Sequence, residues 1–254
     1  MQKSKTLLVF IFCVILIASG CKEKKSEILK SNEDIYKEAQ TKIENGKLRS
    51  ALTTLKNVGV KEEISKELAP LIFLATADAN FYANDMLSIA DSAKSYSEFV
   101  TYYADHKMAP YAQFQIGMCY YRLTNTPEND QEQTFKAIDE FKKVKTLNAE
   151  SPYVRAADGM ISKCEEKIAE HEFLIGKFYH KKKAYQAAAG RFRGILNGYE
   201  EYPEKEKIYY FLGDSLLKMD SSSEGKIYLD KVVKDFPNSK YARNASEILN
   251  RFER

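Results

Sequence analysis

The sequence predicts an all-α fold, a solenoid of about five stacked helical hairpins, and three observations carry that prediction. Gly (11) and Pro (6) are sparse in a chain of 254 residues, which leaves few residues for the turns an all-β protein needs. Hydrophobic residues make up 44% and charged residues 30%, a balance that is apolar enough to fold and too apolar for a disordered chain. One spacing of small and large residues recurs along the chain, the mark of short units stacked on their neighbours rather than sharing one central core.

The N-terminus stands outside that stack. Lys3 and Lys5 precede an uncharged apolar stretch from Leu7 to Ala18, and the small residues Ala18, Ser19 and Gly20 lead into Cys21. This is the layout of a secretory signal peptide. The apolar run is shorter than the ~20 residues a membrane-spanning helix needs. Ala18-Ser19-Gly20-Cys21 resembles the bacterial lipobox, which implies a diacylglyceryl group on Cys21 and cleavage just before it. Residues 1–20 are therefore read as a cleaved lipoprotein signal peptide, with an uncleaved signal anchor as the alternative; Cys13 leaves with the apolar run. Lasting attachment needs two or more acyl chains, because each buried CH2 contributes only ~0.8 kcal/mol. Lys22 stands where an Asp is associated with inner-membrane retention in lipoproteins of Gram-negative bacteria, so the resemblance implies an outer-membrane destination.

Residues 21–31 read as the acylated anchor and a short polar tether. Lys22, Lys24, Lys25 and Lys30 either touch anionic head groups or, opposed by Glu23 and Glu27, are simply solvated. Of the 39 basic side chains, Lys3 and Lys5 fall in the cleaved segment, leaving 37 against 36 acidic ones. A chain so near neutrality lacks the basic field that nucleic-acid binding requires. Its alternating Lys and Glu read as solvated helix faces with local ion pairs.

The recurring spacing is a small residue followed by positions seven, two, three, four and three further on. It falls on Ala39, Gly46, Leu48, Ala51, Leu55 and Val58; on Gly176, Lys183, Tyr185, Ala188, Phe192 and Ile195; and on Gly213, Asp220, Ser222, Gly225, Leu229 and Val232. This is the spacing of a tetratricopeptide repeat, a helical hairpin of about 34 residues in which small residues sit where two helices cross and large ones plug the gap. Pro237 stops the last hairpin, and Asn238 or Ser239 is placed to cap a final helix, Lys240 to Phe252.

Two looser copies lie between. One runs from about Pro70 to Tyr103, with Leu74, Ala75 and Ala79 inward on its first helix and Tyr96, Phe99 and Val100 on its second. The other has Ala112, Phe114, Gly117 and Tyr121, then Ala137, Phe141 and Val144, with Thr124 to Gln131 as a polar loop. A separate helix from about Pro152 to Lys167, with Val154, Ala157, Ile161 and Ile168 at helical spacing, joins this copy to the next. The chain thus divides into N-terminal repeats over 32–148 and C-terminal repeats with a capping helix over 149–254.

The combination resembles the BamD family, lipoprotein subunits of the machinery that inserts β-barrel proteins into the bacterial outer membrane. The segments that carry the resemblance are Tyr36-Lys37-Glu38-Ala39-Gln40 leading to Gly46 and Ala51; Ala137-Ile138-Asp139-Glu140-Phe141; and Glu172-Phe173 through Tyr179, Ala184-Tyr185 and Arg191-Phe192 to Tyr202-Pro203. The family usually ends its first repeat with an aromatic-Pro step, whereas this chain has Asn57-Val58-Gly59-Val60 and Lys61-Glu62-Glu63. The resemblance implies a lipid-anchored periplasmic scaffold that acts by protein–protein binding. It also implies two partners: unfolded outer-membrane proteins on the N-terminal repeats, and a BamA-type barrel-forming protein on the C-terminal ones. Another repeat lipoprotein, scaffolding a cell-envelope or division complex, is the alternative.

The resemblance further implies that Arg191 docks on the barrel-forming partner through a carboxylate. Its position agrees, since Phe192 takes the core direction and the residue beside it, rotated by about a hundred degrees, points to a groove or the surface. The alternative is a structural arginine bridging two repeats, with Glu165, Glu166 and Glu172 as possible partners within the fold. No enzyme and no cofactor is expected. His106, His171 and His180 lie far apart, no cysteine pair has ligand spacing, and there is no Gly-rich phosphate loop. Cys119 and Cys164 are either two small buried side chains or a periplasmic disulfide. His180-Lys181-Lys182-Lys183 reads as a solvated basic turn. Of the pairs Tyr102-Tyr103 and Tyr120-Tyr121, at least one member each is expected to face off the core.

Overall fold

The computed structural model describes residues 30–60, 62–219 and 221–252. The anchor residue Cys21, the signal peptide and most of the tether lie outside them. Among the described residues, eleven α-helices run in order: α1 Asn32–Glu44, α2 Leu48–Leu55, α3 Leu68–Ala83, α4 Met86–Tyr102, α5 Ala109–Arg122, α6 Glu132–Leu147, α7 Tyr153–Lys181, α8 Tyr185–Gly198, α9 Lys205–Leu217, α10 Ser222–Asp235 and α11 Lys240–Phe252. The first ten pair as five hairpins and α11 caps the stack, so the expected tetratricopeptide-repeat solenoid is what forms.

Local chemistry sets the ends. Ser31 caps α1 by accepting from the Asp34 N–H, and Asp85 caps α4 by accepting from the Ser88 N–H. Ser239 accepts from the Ala242 N–H at the start of α11. Between α1 and α2 the chain turns at Gly46, with φ +70°, and between α7 and α8 it turns at Lys183, with φ +62°. These two residues occupy the same place in the repeat spacing, and both take a left-handed backbone there.

Each hydrophobic cluster sits between neighbours, as a solenoid requires. Ala39, Leu55 and Ala75 join the first hairpin to α3. Tyr96, Phe99, Ala112 and Ile116 join the second hairpin to α5. Small against large decides the close crossings: a Cβ on Gly117 would lie 2.5 Å from the Phe141 ring, and one on Gly213 would lie 2.8 Å from Leu229.

The link between the third and fourth hairpins differs from the expected separate helix. Pro152 to Lys167 and the first helix of the fourth repeat are one continuous α7 of 29 residues. Between Met160 and Ile175 there is no Gly or Pro, and good helix formers fill the span, so nothing breaks the ladder. Its first half, with Ala157, Cys164 and Ile168, packs on Phe141 and Val144. Its second half, with Ala169 and Phe173, packs on Ala188 and Phe192. One helix therefore serves two hairpins.

The divergent step after the first repeat is tied back onto α1. The buried Asn32 accepts from the Gly59 N–H at 2.9 Å, and its own amide donates to the carbonyl of Glu63 at 3.2 Å.

Candidate functional site

On α8, Ala187, Gly190, Arg191 and Gly194 fall at i, i+3, i+4 and i+7 and share one face. Phe192, one residue further round, is fully buried against α7. The face is open: a Cβ added to Gly190 or Gly194 would meet nothing within 4 Å. With Glu172 and Tyr179 of α7, and Tyr199 beyond the end of α8, it forms a groove of about 520 Å³.

Arg191 is the charged centre of this groove. Its Nη1 donates to Glu172 Oε2 at 2.7 Å, and the two side chains keep 43% and 26% of their exposure. Of Glu165, Glu166 and Glu172, Glu172 is the one that pairs with Arg191. Glu165 and Glu166 line a separate hollow with Tyr199, Tyr202 and Pro203. The pair lies within one hairpin, between α7 and α8, and does not bridge two repeats. That bridging role belongs to Arg193, whose Nη2 reaches both Glu224 oxygens of α10 at 2.7 and 2.8 Å. A half-exposed guanidinium in a groove, facing a carboxylate it can release at little cost, is available to an incoming carboxylate.

Two polar networks behind the groove were not expected from the sequence. The sequence places His180 in a solvated turn, but His180 and Lys181 belong to the last turn of α7, and His180 Nε2 lies 2.6 Å from Asp214 Oδ2. Lys218 donates to the same Asp214 oxygen at 2.6 Å. Burial alone would push the Asp214 carboxyl up, yet hydrogen bonds from His180 and Lys218 hold it below the ordinary carboxylate range. The second network centres on Lys207, whose side chain is 7% exposed and sits over the Phe173 ring. It donates to Glu170 at 2.6 Å and Glu204 at 2.5 Å, and Tyr202 donates to Glu170 as well. The helical period places Phe173, Gly176 and His180 on one α7 face, a signal that pointed His180 inward. Together the networks fix α9 against α7.

Other sequence expectations resolve separately. Cys119 and Cys164 are free and buried in different clusters, and burial pushes both thiols up to about 11. Tyr102 is the outward member of its pair, 69% exposed. Tyr120 and Tyr121 are both half-buried, against the expectation that one faces away, because α5 is sandwiched between α4 and α6. His171 contacts the Pro127 carbonyl and Lys167 the Asn125 carbonyl, which holds the 124–131 loop on α7. Among the described residues, no group of three or more His, Cys, Asp or Glu side chains is placed to hold a metal ion. No described helix is long and apolar enough to cross a membrane.

The family model described as outer membrane lipoprotein, YfiO, matches residues 29–221, from before α1 to the start of α10. The chain belongs to this family. A tetratricopeptide-repeat model matches residues 209–239, the last hairpin of the YfiO-family chain. The chain is similar to the outer membrane protein assembly factor BamD of Rickettsia prowazekii, at 24% identity over 99% of this chain and 100% of that one. It is also similar to proteins of that name from Caulobacter vibrioides, at 23% identity over 95% of this chain and 80% of the relative. For the one from Haemophilus influenzae, identity is 25% over 82% of this chain and 80% of the relative.

Proposed function

We propose that this YfiO-family chain is a non-catalytic scaffold subunit of the machinery that folds and inserts β-barrel proteins into the outer membrane. The observation that carries the reading is the match, over nearly all of this chain, to relatives named outer membrane protein assembly factor BamD. A stack of helical hairpins with an open α7–α8 groove supports it, because repeat solenoids act by presenting extended surfaces to other chains.

In this reading acylated Cys21 anchors the chain to the periplasmic face of the outer membrane. The N-terminal repeats take unfolded outer-membrane proteins, and the C-terminal repeats dock on a BamA-type barrel-forming protein. Arg191 exchanges its Glu172 partner for a carboxylate of that protein. The experiment is capture of the acylated chain from detergent-solubilised envelope, read by mass spectrometry. Co-isolation of a barrel-forming outer-membrane protein in stoichiometric amount supports the reading; co-isolation of cell-wall or division proteins in its place contradicts it.

A further inference from the structure

A second concave site lies at the other end of the stack, between the first helices of three successive hairpins. It is a cavity of about 450 Å³, walled by Tyr36 and Ile43 of α1, Leu71 and Leu74 of α3, and Met108 and Tyr111 at the start of α5. That volume suits one or two side chains and excludes a folded domain.

At its edge stands Asp78 of α3. Its Oδ1 accepts from the Tyr111 hydroxyl at 2.7 Å and from the Tyr96 hydroxyl. Both hydrogen bonds fall on the one oxygen, and none of the ion pairs among the described residues involves Asp78. Burial pushes its carboxyl above the ordinary range even against the two tyrosine bonds, so holding it ionised costs the fold stability.

The chemistry that repays this cost is a cation. Glu44 adds a second acid to the lining, and Lys107 is its single base. The apolar walls fit the methylene stem of a long basic side chain, and the Tyr36 and Tyr111 rings suit a charged head. A peptide's terminal carboxylate meets the opposite environment, with Asp78 and Glu44 repelling it.

We propose that this groove binds a lysine or arginine side chain of an extended peptide, the stem lying along Leu71 and Met108 and the charged head on the free Asp78 oxygen. Identifying that peptide as an unfolded barrel chain rests on the assembly reading; the preference for a cation does not.

The test uses the purified chain from residue 21 onward and dye-labelled pentapeptides, acetylated and amidated, with a central Phe-Lys or Phe-norleucine. A third probe is the norleucine peptide with a free C-terminal carboxylate. Fluorescence anisotropy should show the lysine peptide binding about tenfold or more tighter than the norleucine one. Asp78→Asn still accepts from both tyrosines, and it should abolish that difference. Equal binding of the two peptides by the wild type overturns the proposal without use of any variant. So does tighter binding of the free acid, a lysine advantage that survives Asp78→Asn, or no binding of any probe. The assembly reading is decided separately, by barrel levels in cells, so either can fail alone.

Discussion

The Phe192 ring fills the space that a side chain on Gly176 would occupy: a Cβ there would lie 2.6 Å from Phe192 Cε1. The α7–α8 crossing, and the groove on its outer side, depend on that absence of a methyl group. Gly176→Ala should therefore cost ~1 to 3 kcal/mol by overpacking. Gly190→Ala, which meets open space, should gain ~0.5 to 1 kcal/mol from helix propensity alone. Thermal unfolding of the two variants checks the pair; a shift of the same sign in both would contradict the packing.

Lys183 turns the chain with φ +62°, the place where the first hairpin has Gly46. A left-handed backbone costs an ordinary residue roughly 1 kcal/mol, whichever side chain it carries. Lys183→Gly should raise stability by about 1 kcal/mol and Lys183→Ala should be near neutral. Gly46→Ala should lose what Lys183→Gly gains. Denaturant midpoints measure all three.

Asp214 gives stability a pH dependence with a definite sign. Its carboxyl is held below the ordinary range by His180 and Lys218, so its contribution is fully present above the unfolded value near ~4 and lost as pH falls through the lower folded value. Asp214→Asn should cost ~1 to 3 kcal/mol at pH 6 and flatten the fall in melting temperature as pH drops below about 4. A variant as acid-sensitive as the wild type would show that another group governs the transition.

At the groove, the Arg191–Glu172 pair is half exposed and worth only ~0 to 1 kcal/mol to the fold. Arg191→Ala should keep the helical signal and melting temperature while weakening capture of the barrel-forming partner by ~2 to 5 kcal/mol. Gly190→Leu should block the same face by filling it. Interferometry on purified partners reads both, and wild-type affinity in Arg191→Ala would remove the docking role.

The repeat register was legible because close helix crossings demand particular sizes. Ala39 against Leu55, Gly176 against Phe192 and Gly213 against Leu229 are small–large pairs at fixed spacing, so packing writes itself into the sequence. The continuity of α7 was not legible, since a spacing rule that starts a repeat at Gly176 says nothing about where the preceding helix ends. Arg191 was placed outward by its neighbour Phe192, but the choice of Glu172 over Glu165 and Glu166 needed the three-dimensional turn. Asp78 was invisible for a different reason. Its partners Tyr96 and Tyr111 come from two other helices, and no local pattern relates residues 18 and 33 positions away.

The most direct test of the assembly role is depletion of the chain in its own cells, followed by quantitative proteomics of the outer membrane. With the assembly role, β-barrel proteins fall together and the envelope stress response rises, and wild-type protein restores both. Unchanged barrel levels, with defects confined to the cell wall or division, would contradict it.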